Sequence, residues 1–148
     1  MELVVKHYSA LTVQELHDIL RLRAEIFIVE QNCVYQDIDN CDPHGYHLYL
    51  QDESGIVAYL RVLPAGVRYD DVSIGRVVSA KRRQGYATRL LREGIRIARE
   101  KYGASRIVLG AQKYARTLYE GVGFVQFGDD CLEDGIPHVH MELVFSEE

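Results

Sequence analysis

The residues best placed to do chemistry in this sequence lie between a strand-like run and a helix-like one, in Ala80-Lys81-Arg82-Arg83-Gln84-Gly85-Tyr86-Ala87-Thr88. A tight turn feeding a helix presents backbone N–H groups without carbonyl partners, at the positive end of the helix dipole. Gly85 leaves the backbone open to a ligand, Ala87 keeps the next turn slim, and Arg82 and Arg83 add fixed positive charge. Such a turn suits a pyrophosphate. On these residues alone, an ordinary strand-to-helix turn with surface arginines fits as well, and neither the P-loop pattern nor the GxGxxG dinucleotide pattern occurs.

Other groupings are weaker. Asp37, Asp39 and Cys41 imitate the opening of a calcium loop, but Asp42 stands where its glycine belongs and Leu48 where its glutamate belongs. His44-x-x-His47 and His138-x-His140-x-Glu142 have spacings that zinc can use, yet a half-exposed strand supplies alternate polar residues anyway. No metal is expected. Cys33, Cys41 and Cys131 form no CxxC pair and have no activating partner in the sequence, so neither a disulfide framework nor a thiol nucleophile is expected.

The elements that must hold these residues follow from periodicity. Residues 2–8 form a short strand, and Thr12 with Glu15 makes a capping box for a helix running to about Glu30. Residues 31–45 show neither period and suggest a long ordered loop. Residues 46–51 and 56–64 make a hairpin around Asp52-Glu53-Ser54-Gly55, and 71–79 make a strand that Gly75 interrupts, as a bulge would. The stripe Ala87, Leu90, Leu91, Gly94, Ile95, Ala98 predicts a helix over 86–100, with Gly103 near its C-terminal cap. A buried strand at 107–109, a short helix over 115–122 and strands at 124–128 and 138–145 complete one mixed α/β domain spanning 1–148. The apolar face of the last strand suits either core packing or a homodimer edge.

Charge narrows the partners. The 148 residues carry 22 acidic against 17 basic side chains, a net −5. Binding to nucleic acid or an anionic membrane draws on a basic excess, so neither is expected. No run approaches the roughly 18 apolar residues that span a bilayer, and the first residues show no basic leader, so the expected location is cytoplasmic. The acidic loop 37–42 would steer a cationic amine.

Arg82-x-x-Gly85-x-Ala87 after an interrupted strand resembles the R/Q-x-x-G-x-G/A signature of the GNAT superfamily of acetyl-CoA-dependent acyltransferases. Ala115-Arg116-Thr117-Leu118-Tyr119-Glu120-Gly121-Val122-Gly123-Phe124 is similar to the family's A-x-x-L-Y-x-x-x-G-F, and the element order matches over essentially the whole chain. The stretches 27–39, 74–79, 109–112 and 133–138 resemble the ElaA-like branch. Two positions depart from the commoner pattern: Ala87 replaces a glycine, and Arg83 stands where many members carry glycine, so that it either crowds the turn or reaches phosphate.

The resemblance implies a mixed sheet whose central strands splay to admit acetyl-CoA. Backbone near Val77 and Val78 would pair with the pantetheine arm, and the amides from Arg83 to Thr88 would bind the pyrophosphate. Arg82, Arg83 or Arg89 would meet the adenosine phosphate, and Gln112 would bond the arm or cap its own helix. An amine of a small molecule or peptide would attack the thioester directly, with Tyr119 as the acid that protonates the leaving thiolate. The candidates for the general base are Glu30, Asp37, Asp39, His47, Glu133 and His138, with water as an alternative relay. A non-catalytic acyl-CoA sensor on the same fold is the other reading, and Tyr119 with the intact turn spacing favours the enzyme.

Overall fold

A computed structural model describes residues 1–146. Seven strands form one sheet: β1 (Glu2–His7), β2 (Tyr46–Asp52), β3 (Gly55–Leu63), β4 (Val72–Ser79), β5 (Arg106–Gln112), β6 (Val125–Glu133) and β7 (Ile136–Val144). Their order is β1-β2-β3-β4-β5-β7-β6, and every neighbouring pair is antiparallel except β4 and β5. The helices are α1 (Val13–Arg23), α2 (Tyr86–Tyr102) and α3 (Arg116–Glu120).

Alternation in β2 and β3 gives the sheet two apolar faces. Leu48, Leu50, Leu60 and Val62 pack with Leu90, Leu91, Ile97 and Ala98 of α2, whereas Tyr49 and Tyr59 pack with Ile19 of α1. The capping box forms as expected: Glu15 N–H donates to Thr12 Oγ1 and Thr12 N–H to Glu15 Oε1, each at 3.0 Å. Gly103 closes α2 in the left-handed conformation.

The structure departs from the periodicity reading in three places. The first helix does reach Glu30, but from Ala24 onward it widens into a π-helical stretch. The strand expected at 124–128 continues to Glu133, because Gly128-Asp129-Asp130 is a bulge within β6 and not its end. The chain then turns tightly through Asp134 and Gly135, both at positive φ, so β7 begins at Ile136.

The Gly75 interruption does mark a bulge. The register passes from Tyr59 opposite Val78 to Arg61 opposite Gly75, which leaves one extra residue in β4. The strained position is Arg76, at φ +52, and not the glycine beside it. Already before the bulge β4 leaves β5: only Val72 with Ile107 and Ser73 with Val108 are paired. The central strands therefore part, as the resemblance implied.

Candidate active site

The parting of β4 and β5 opens two cavities that meet at Phe27, Val77, Gln112 and Tyr119. The larger, about 390 Å³, lies toward the start of α2 and is lined by Val77, Val78, the turn 82–88 and Gln112. Val77, Val78, residues 82–88 and Gln112, all expected at the cofactor, thus come together on one cavity, whereas Arg89 does not line it. The smaller, about 140 Å³, lies toward the loop of residues 31–45 and the β6–β7 hairpin.

The turn itself has the chemistry of an anion cradle. Gly85 is the N-cap of α2 at φ +75, with no side-chain cap and no atom within 4 Å of where a Cβ would be. The first bond of the helix runs from Arg89 N–H to the Gly85 carbonyl, so the N–H groups of Tyr86, Ala87 and Thr88 have no partner within α2. Arg83 adopts φ +62, a left-handed backbone that costs an L-residue roughly 1–2 kcal/mol, which explains a glycine preference there. Arg83 is among the residues lining the cavity. Lys81 is drawn off to Asp52 at 2.6 Å and contributes no charge to the cradle. The cradle fits a phosphate-bearing co-substrate.

Tyr119 sits on α3, only 7% exposed, with its ring edge-on to Phe124. Burial pushes its phenol above the ordinary tyrosine value. It therefore stays protonated at neutral pH, and among the described residues no hydrogen bond engages its hydroxyl. Gln112 donates to Gln31 at 2.9 Å across the cleft and does not cap a helix.

The six base candidates separate sharply. His47 is fully buried outside both cavities. Its Nε2 donates to the Asp42 carbonyl at 2.9 Å, and Nδ1 accepts from the Tyr59 hydroxyl at 2.6 Å. Burial lowers its pKa, so it is a neutral structural histidine with neither nitrogen free to reach an amine. Glu30 lines neither cavity and pairs with Arg82 at 2.5 Å, tying the π-helical stretch to the phosphate turn. Asp37 and Asp39 belong to a buried array with Arg23, Arg61, Arg76 and Asp42. Burial would raise the Asp39 carboxyl, but the bonds from Arg61 outweigh it and hold it at about 2. The steering of a cationic amine by this loop is thereby overturned, because its aspartates are committed to arginines.

Glu133 and His138 remain, and both line the smaller cavity. His138 Nδ1 donates to the Ile136 carbonyl at 2.8 Å, which leaves Nε2, 3.7 Å from Glu133 Oε2, as the open nitrogen. Sequence reasoning did not place Gln31, Tyr35, Arg68, Tyr69 or Arg76 at the site. One signal was available: Gly110 interrupts β5, and a Cβ there would lie 3.0 Å from the Tyr69 hydroxyl.

The model of the acetyltransferase (GNAT) domain matches residues 6–145. The chain belongs to the GNAT acetyltransferase family. This GNAT chain is 41% identical over 147 residues to a UPF0039 protein of Schizosaccharomyces pombe, covering 97% of each. It is 35% identical over 139 residues to the ElaA protein of Escherichia coli, covering 91% of each, which places it in the ElaA-like branch. Crystal structures agree. An acyl-CoA N-acyltransferase from Pseudomonas aeruginosa superposes with TM-score 0.89 at 35% identity, over 97% of this chain and 100% of that one. Escherichia coli ElaA gives 0.89 at 33%, over 96% and 98%. The GNAT fold carries acyl transfer from an acyl-CoA. Among the described residues no group of three or more His, Cys, Asp or Glu converges as a metal site, and no helix is long and apolar enough to cross a membrane.

Proposed function

We propose that this protein is an N-acetyltransferase that moves an acetyl group from acetyl-CoA to a primary amine of a small molecule or peptide, by direct attack within a ternary complex. The observation that carries this reading is the free phenol of Tyr119 at the junction of a phosphate-cradling cavity and a second, polar one. The amides of residues 83–88 and the charge of Arg82 and Arg83 hold the phosphates. The backbone at Val77 and Val78, freed from β5, pairs with the amide-bearing arm, and Gln112 adds a bond from the facing strand. The amine nitrogen forms its bond to the acetyl carbonyl carbon as the carbon–sulfur bond breaks. The sulfur leaves with the electron pair and takes the Tyr119 proton, and the nitrogen loses one proton to His138 or Glu133, directly or through water. Tyr119 is then restored from solvent. Three unpaired cysteines suit a reducing cytoplasm.

The test combines thermal shift with acetyl-CoA and thiol release over amines, polyamines, amino acids and peptides. Stabilisation by acetyl-CoA together with amine-dependent thiol release is the expected result. Stabilisation without turnover for any acceptor would instead identify a sensor.

A further inference from the structure

The smaller cavity has an unusual distribution of charge. Arg61, Arg68 and Arg76 line it, whereas Asp37, Asp39 and Asp42, which pair with Arg61 and Arg76, do not. Of this array only arginines are among the residues lining the cavity, so the cavity meets the cations. The array of Arg23, Arg61 and Arg76 with the three aspartates balances in charge by itself, and Arg68 is additional. Arg68 lies over the Tyr69 ring, 4.7 Å from its centroid, and among the described residues no carboxylate pairs with it. Arg61 is 2% exposed, and its Nε–H has no hydrogen-bond partner, a donor that burial leaves unsatisfied. Gly75 lies beside that Nε, where an ideal Cβ would make an ordinary contact at 4.0 Å. The β6–β7 hairpin supplies the opposite polarity, with Glu133 and the open Nε2 of His138.

We propose that the acceptor is a free amino acid or a closely similar small molecule, with a carboxylate beside its primary amine. Arg68, with the Arg61 and Arg76 surface behind it, takes the carboxylate, and the amine turns toward Glu133, His138 and Tyr119. A guanidinium offers a planar fork that matches a carboxylate, and a cavity of about 140 Å³ suits a small molecule. A peptide N-terminus has an amide where this site presents cations. The proposal rests on the acetyl-transfer reading and specifies its substrate.

Thiol release from acetyl-CoA is measured for the full chain with the protein amino acids, their carboxamides and their decarboxylated amines. At least one amino acid is expected to exceed both of its counterparts in kcat/KM by about tenfold or more, roughly what one charge-assisted pair contributes. In Arg68→Ala that ratio falls about tenfold, through KM, and in Arg68→Glu it reverses. Both variants keep thermal stabilisation by acetyl-CoA, which shows that they fold. Equal use of amines lacking the carboxylate, or a ratio that survives both substitutions, overturns the proposal and leaves acetyl transfer standing. Absence of thiol release with every amine, while acetyl-CoA still stabilises the chain, overturns the transfer reading and the substrate assignment with it.

Discussion

Tyr119 joins two properties that compete at most positions, a ring buried on Phe124 and a hydroxyl with no bonded partner among the described residues. Tyr119 lines both cavities, so its hydroxyl is available to a bound ligand. Tyr119→Phe keeps the ring and its packing. It should leave stabilisation by acetyl-CoA unchanged and lower kcat about 100-fold, the low end of a general-acid contribution. Steady-state kinetics with a saturating acceptor decides it, and an unchanged kcat would remove the acid role. Where a motif ties position to backbone, at Gly85 and Tyr119, the expected residues do lie on the cleft. Sequence reasoning missed His47, whose burial depends on Tyr59 and on a carbonyl five residues upstream, partners that no local pattern shows.

At the scale of elements, what reached the sequence was whatever repeats. The α2 stripe, the capping box and the β2–β3 hairpin all appear where periodicity put them. The π-helical widening of residues 24–30 left no trace, because one wider turn does not alter which residues are apolar. Yet it matters, since this stretch supplies Phe27 to the cleft and Glu30 to Arg82. The join between the loop and β2 can be tested. A Cβ on Gly45 would lie 2.6 Å from the Val62 carbonyl oxygen, a backbone atom that cannot move aside. Gly45→Ala should therefore destabilise the fold by about 1–3 kcal/mol, read as a melting temperature lower by about 3 °C or more. A melting temperature equal to that of the unaltered chain would show that β2 and β3 yield at this point.

For the molecule as a whole, stability in acid depends on carboxylates bonded across distant segments. Burial would raise Glu15, but the bonds from Lys6 and Tyr49 win and bring it from 4.5 to about 2. Asp39 falls from 3.8 to about 2 by the same competition with Arg61. Both folded values lie below the unfolded ones, so the unfolded chain binds more protons as pH falls. Their contribution is complete above about pH 4.5 and is lost as the pH approaches 2. The melting temperature should accordingly hold steady down to about pH 5 and then drop, and Glu15→Gln should soften that drop. A melting curve insensitive to pH over that interval would contradict the assignment. In the sequence Glu15 stood out only as a helix cap, and the aspartates of the array only as acids of a loop. Their partners come from α1, β3 and β4, and the fold alone brings those together.

Because β5 pairs with β4 through only two residue pairs, the sheet has a second pair of edges within it, besides the outer ones of β1 and β6. Outer edges are open to any extended chain, and proteins guard them against aggregation. The inner edges face each other across a slot lined by Phe27 and Tyr119, inside the sheet and away from its outer rims. In the acetyl-transfer reading proposed above, that unpaired backbone serves a slender amide-bearing ligand while lying away from the rims where neighbouring chains meet the sheet.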